Sequence, residues 1–172
     1  SYVVATHLTM GTGFFAILTW MYMSLRKSSK DQTQPTQLMK ISSSIMLAGI
    51  FGQIILGGLV ASHYAALVCT DFPTCHGQWF PTFRGIIGLH VIHRLGAYIV
   101  MALALWNWWV LSKSESPRIR RLGMWICALV FLQAGIGIAN VLLLTPPLIA
   151  VMHLAVATGI LGLSVRAAHA QY

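Results

Sequence analysis

The sequence IIGLHVIHRLGAYIVMALALWNWWVL occupies residues 86–111 and contains one charged side chain, Arg94. At about 1.5 Å per residue, a helix of this length crosses the hydrocarbon core of a bilayer, which is about 30 Å thick. Four further stretches are long and apolar enough to do the same. The five predicted helices are Val3–Leu25, Ile41–Ala61, Ile86–Leu111, Leu122–Leu144 and Leu148–Ala168. The sequence therefore predicts an all-α, polytopic membrane protein.

The composition excludes an ordinary soluble domain. Of 172 residues, 57% are hydrophobic and 8% are charged, and the mean hydropathy is +0.75. Soluble domains carry roughly 25% charged residues. The formal charge of +8 would indicate nucleic-acid binding in a soluble protein, but here the basic residues concentrate between the predicted helices. We therefore expect the lipid bilayer, and no nucleic acid, as the partner of this chain.

The basic residues separate the two sides of the predicted membrane protein. Nine of the 11 lie in the connections Arg26–Lys40 and Ser112–Arg121 or at Arg166, Arg84 lies on the other side, and Arg94 lies within a helix. The positive-inside rule places the nine in the cytoplasm. We expect a bacterial inner-membrane protein with a periplasmic N-terminus and a cytoplasmic C-terminus. The mitochondrial inner membrane is the second candidate.

A short segment occurs twice in the chain. Residues 7–13 read HLTMGTG and residues 153–159 read HLAVATG, at similar depths in the first and last predicted helices. Such a repeat indicates a duplicated helical unit. We expect residues 1–25 to be the last helix of an incomplete N-terminal four-helix unit, residues 26–40 a basic linker, and residues 41–172 a complete four-helix unit. A longer protein or another subunit would supply the rest of the first unit.

Histidines within the predicted helices are the first candidates for function, because ionisable residues in a bilayer are costly. They are His7, His90, His93 and His153. His93 lies about 12 Å into its helix from the loop between the second and third helices, and His153 about 9 Å from the Pro-Pro turn. Two neutral imidazoles at one depth in a helical bundle suit the two axial positions of a six-coordinate haem iron.

Other residues fit the same site. Glycines near these histidines would let a porphyrin approach, although small residues also allow close helix packing in membranes. Arg94 is suited to a haem propionate, and the alternative is that its side chain extends to the lipid headgroups. Gln53 and Gln133 precede glycine-rich segments at comparable positions and are interpreted as hydrogen bonding across the bundle.

Two cysteines lie in the predicted external loop. Cys69 and Cys75 are six residues apart, and an oxidising compartment would favour a disulfide between them. The alternative is a pair of redox-active or metal-binding thiols, with His76 as a neighbour. Cys127 is interpreted as a small packing residue within a helix.

Residues 53–79, with the cysteine-containing loop, and residues 90–97 resemble the C-terminal half of the haem A synthase (CtaA-type) family. The resemblance implies eight transmembrane helices in two pseudo-symmetric halves, of which this chain would contain the C-terminal half and the last helix of the N-terminal half. It implies haem b as a cofactor with His93 and His153 as its iron ligands. It also implies that His7 is one ligand of the substrate, haem O, in the other half.

The resemblance implies an activity for the whole protein. That activity is the oxidation of a methyl group of haem O to a formyl group, giving haem A for cytochrome oxidase assembly. The family's catalytic glutamate and the first histidine of the substrate site would lie on a helix absent from this chain, so we expect the chain alone not to be competent. His90 occupies the position that corresponds to that glutamate, where a proton or propionate role and simple packing are both open.

Two alternatives compete with the synthase. One is a non-enzymatic b-type cytochrome subunit, a truncated relative that holds one haem. The other is a haem-free helical scaffold, which would have to explain the intramembrane histidines by packing alone. The sequence indicates neither an electron donor nor an oligomeric state.

Overall fold

The computed structural model describes residues 2–26, 34–79 and 81–172 as an all-α chain. Its five long helices are each long and apolar enough to span a membrane, which confirms the predicted fold class. A short 3₁₀ turn, Ala65–Leu67, follows the second helix. The long helices are α1 (Tyr2–Leu25), α2 (Gln37–Ser62), α3 (Gly85–Leu111), α4 (Pro117–Leu142) and α5 (Pro147–His169).

Two helices begin several residues earlier than the apolar pattern predicted, whereas the other three begin within one residue of it. Helix α2 begins at Gln37 because the Thr36 hydroxyl accepts a hydrogen bond from the Met39 amide at 3.3 Å, which caps its first turn. Helix α4 begins at Pro117, whose fixed φ suits the first helical position. Polar residues occupy both first turns, so a hydropathy pattern assigned them to connections. The basic linker predicted over residues 26–40 therefore overlaps α2, and its residues 27–33 lie outside the described ranges.

Helices α2 to α5 form a four-helix bundle. Helix α2 packs on α3, α3 on α4, α4 on α5, and α5 on α2, while α1 lies against both α2 and α5. Small residues allow α1 to approach closely. A side-chain carbon at Gly58 would lie 2.9 Å from Leu8 Cδ2, and one at Gly162 would lie 3.2 Å from Phe15. Consecutive helices run in opposite directions, and the main buried core lies among α2 to α5.

The two ends of the bundle are built differently. We call the end with residues 63–84 and 143–146 the loop end, and the end with residues 112–116 and the C-terminus the linker end. Tyr2 packs edge-on against His63 at the loop end. At the linker end, Trp20 packs edge-on against His169, with 4.9 Å between ring centroids. Helix α1 is therefore held against the bundle by aromatic contacts at both ends.

Candidate functional site

A cavity of about 760 Å³ lies inside the bundle, towards the loop end. This volume is in the usual range for a small-molecule or cofactor site, about 300–1,000 Å³. Apolar side chains form most of its wall. Its polar lining residues include His93 and Arg94 from α3, His153 from α5, and Gln53 and Gln133 from α2 and α4. The structure thus places the two predicted axial histidines on one cavity.

The α2–α3 side of the cavity holds His93. Gln53 Nε2 on α2 donates to the His93 carbonyl at 2.8 Å and lies 3.1 Å from His93 Nδ1. Gly57, one turn further along α2, lies beside the ring, since a side-chain carbon there would come within 3.2 Å of His93 Cε1. Gly96 leaves space for the Gln53 amide, because a side chain at Gly96 would overlap Gln53 Oε1.

The α4–α5 side repeats this arrangement around His153. Gln133 Nε2 on α4 donates to the His153 carbonyl at 2.9 Å. Gly137, again one turn further along, lies beside the ring, and a side-chain carbon there would come within 3.0 Å of His153 Cε1. Within the described part of the chain, His153 Nδ1 and Gln133 Oε1 are buried without a hydrogen-bond partner. The bundle therefore contains two Gln-x-x-x-Gly segments, each set against a histidine of the next helix.

Arg94 connects the site to the loop between α2 and α3. Its Nη1 donates to the Thr74 carbonyl at 2.8 Å, and its Nη2 donates to the carbonyls of Cys69 at 2.8 Å and Asp71 at 2.9 Å. Its Nε donates to His90 Nε2 at 3.2 Å. These partners lie within the protein, and a haem propionate as a further partner of Arg94 stays a prediction. Sequence reasoning missed them because they depend on the path of a loop 20 to 25 residues away.

The loop itself is tightly organised. Cys69 and Cys75 are paired and buried, with their Cα atoms 4.9 Å apart. The Asp71 carboxylate accepts hydrogen bonds from Thr74 Oγ1 at 2.6 Å and from the amides of His76 and Gly77 at 2.9 and 3.0 Å. Donation by Thr74 and then by Gly77 holds the pKa of the Asp71 carboxyl well below its ordinary value.

The remaining candidate histidines lie in different surroundings. His90 is 2% exposed and belongs to the cavity wall, where it accepts the hydrogen bond from Arg94. His7 is exposed on α1. Among the described residues, α1 contributes Leu8 alone to the cavity lining, so His7 is not brought together with His93 and His153.

The fold and the site define a class: a polytopic membrane four-helix bundle in which two histidines of different helices line one largely apolar cavity. The chain belongs to the COX15-CtaA family, whose model, described as cytochrome oxidase assembly protein, matches residues 1–165. The resemblance drawn from the loop and the third helix is thereby confirmed at the level of the family.

Curated relatives agree with this assignment. The chain is 33% identical over 178 residues to the "Heme A synthase" of Sinorhizobium medicae, a match that covers 95% of the chain and 48% of the relative. It is 30% identical over 183 residues to the "Heme A synthase" of Shewanella oneidensis, covering 88% of the chain and 52% of the relative. A third, from Parvibaculum lavamentivorans, is 30% identical and covers 98% and 51%. The chain thus spans about half the length of the curated relatives it matches.

Proposed function

We propose that this chain is the haem b-binding half of a haem A synthase. The observation that carries the proposal is that His93 and His153 line one cavity in a chain related to proteins named heme A synthase. The buried Nδ1 of His153 has no hydrogen-bond partner within the described residues, and a group bound in the cavity would account for this orphaned polar atom.

The residues of the cavity fit a porphyrin. His93 and His153 would hold the haem iron. Gly57 and Gly137 keep the space beside each ring free, since a side chain at either position would press on the imidazole. Apolar side chains form most of the lining. A haem whose iron was held by these two histidines would supply electron transfer.

The reaction of the whole protein would be the oxidation of a methyl group of haem O to the formyl group of haem A. His7 would be one ligand of that substrate, on the side of α1 away from the cavity. The remaining substrate-site residues would come from an N-terminal half or another subunit, so the chain alone would bind haem b without completing the reaction. We assign no electron donor.

The charge distribution supports an orientation. The basic residues Lys113, Arg118, Arg120 and Arg121 surround the α3–α4 connection at the linker end, whereas Arg84 is at the loop end. We propose that the linker end faces the cytoplasm of a bacterium and the loop end faces the periplasm. Such a compartment would keep Cys69 and Cys75 oxidised.

A second candidate function is that of a b-type cytochrome subunit without synthase activity. The described cavity and both of its histidines belong to α2–α5, so binding one redox-active haem requires no contribution from His7. Both candidates use the same haem b site. The cytochrome subunit would bind no second haem as a substrate.

Pigment analysis separates these functions. The native protein is purified from membranes together with any half or subunit that accompanies this chain, its haems are extracted, and each is identified by mass and counted per chain. Haem b with haem O, its hydroxylated forms or haem A supports the synthase. One haem b per chain and no other haem supports the cytochrome subunit. A chain without haem contradicts both proposals.

A further inference from the structure

The two glutamines of the cavity make one contact in common and differ in a second. Both donate to the backbone carbonyl of a histidine, Gln53 to His93 at 2.8 Å and Gln133 to His153 at 2.9 Å. Of the two, only the Gln53 amide also lies within hydrogen-bond distance of a histidine ring, at 3.1 Å from His93 Nδ1. His153 Nδ1 is buried without such a partner in the described part of the chain. The two histidine rings are therefore held unequally.

The difference between the two rings matters when an imidazole binds a metal. When a metal takes the lone pair of Nε2, Nδ1 carries the proton and needs an acceptor. An acceptor at Nδ1 fixes the plane of the ring and makes the imidazole a stronger donor to the metal. A glutamine amide presents either its NH₂ or its oxygen after half a turn about its last bond.

The surroundings of Gln53 allow this adjustment. The amide lies next to Gly96, where any side chain would overlap it. After a half turn, Gln53 Oε1 would face His93 Nδ1, and the NH₂ group would occupy the space that Gly96 leaves. The His93 carbonyl would lose the Gln53 donor but keep the amide donor that α3 supplies, and the Gln53 side chain would also shift so that Oε1 moves away from that carbonyl oxygen.

We propose that Gln53 is a positioning residue for His93: its amide oxygen accepts the Nδ1 proton when Nε2 binds the haem iron, and so sets the orientation and donor strength of that ligand. Gln133 fixes only the backbone at His153. This inference rests on the haem b site proposed above. It makes the two axial ligands inequivalent although the helix pairs that carry them are alike.

The test compares Gln53→Met with Gln133→Met in the full chain. Each variant removes the bond to a histidine carbonyl, but only Gln53→Met removes a ring contact, so Gln133→Met is the matched control. The measurements are haem per chain, the electron paramagnetic resonance spectrum of the ferric form, and the midpoint potential. Loss of the acceptor weakens the His93 donor, which favours ferrous over ferric iron. We expect Gln53→Met to change the ratio of ferric to ferrous affinity about tenfold, raising the potential by about 59 mV.

The control and a second variant fix the interpretation. Gln133→Met should change the same ratio less than about threefold, since the ring of His153 has no such partner to lose. Gln53→Glu retains an acceptor and should keep the potential at or below that of the unaltered chain, even if Gln53→Met loses its haem. Equal shifts in the two methionine variants, or a raised potential in Gln53→Glu, would overturn the positioning role. Absence of haem from the unaltered chain would instead overturn the proposed function.

Discussion

Helix pairs α2–α3 and α4–α5 carry the same three residues at their contact, yet they are joined in different ways. Each pair sets a glutamine and a glycine against a histidine. The α2–α3 connection, residues 63–84, is a long loop that Arg94 ties to α3. The α4–α5 connection, residues 143–146, is a short turn. Each helix pair therefore places a histidine on this cavity whether its connection is long or short. The long loop tied by Arg94 is found only at the α2–α3 pair.

The largest effect is expected from removing either histidine. His93→Ala and His153→Ala should each abolish stable haem b binding at the proposed site, because each would remove one of the two residues proposed to hold the iron. Haem per chain, counted after purification, is the measurement. His63→Ala is the control, since His63 lies outside the cavity lining. Full haem content in either cavity variant would show that the two pairs do not form one site.

Arg94→Gln tests the difference between the two connections. The substitution removes three charge-assisted bonds to loop carbonyls, and water would compensate for part of the loss. We expect the free energy of local opening of residues 69–79 to fall by about 3 kcal/mol. Hydrogen exchange of the loop amides should accelerate more than 100-fold. Residues 143–146 serve as the internal reference, and equal acceleration there would contradict a local role for Arg94.

Gly137→Ala and Gly57→Ala test how similar the surroundings of the two histidine rings are. The added carbon would lie 3.0 Å from the ring of His153 in the first variant and 3.2 Å from that of His93 in the second. Overpacking of this kind costs about 1–3 kcal/mol, and the closer contact should cost more. Haem titration should show a weaker affinity for Gly137→Ala than for Gly57→Ala. Gly52→Ala should behave like the unaltered chain, because nothing lies within 4 Å of the added carbon.

The smallest effect is expected from replacing Asp71 and from changing the pH. The pKa of Asp71 is lower in the folded chain than in the unfolded chain, where it is about 3.9. The hydrogen bonds to its carboxylate therefore stabilise the loop at pH values above about 3.9. This stabilisation is lost as the pH falls through the lower pKa of the folded chain. Loop hydrogen exchange, corrected for intrinsic rates, should thus be constant between about pH 5 and 8. Asp71→Asn should accelerate it by less than Arg94→Gln does. A marked pH dependence in that range would contradict the assignment.

The helices and the shared cavity were predictable from the sequence, for physical reasons. Long apolar runs specify spans in a bilayer, and the structure contains all five predicted helices. Equal depth from the loop end predicted that His93 and His153 would meet, and both line the cavity. Their role as iron ligands stays a prediction.

Other features depend on geometry that a hydropathy pattern does not contain. The Gln53 contact with His93 Nδ1 requires a particular rotation of α2 against α3. The Arg94 contacts require a loop path set by turns, including left-handed backbone at Tyr64 and His76. The early start of α2 at Gln37 depends on one capping hydroxyl. Each of these details depends on the exact placement of one or a few residues, which hydropathy does not specify.

Helix α1 presents Leu8 to the cavity and exposes the adjacent His7, so one helix forms part of the cavity wall and also carries a histidine outside it. An α-helix with its side chains is about 10–12 Å across, and neighbouring residues are about 100° apart around its axis. A group bound at His7 would therefore lie on a different face of α1 from the one that lines the cavity. A modest rotation of α1 would change which side chain closes the cavity and which faces outward.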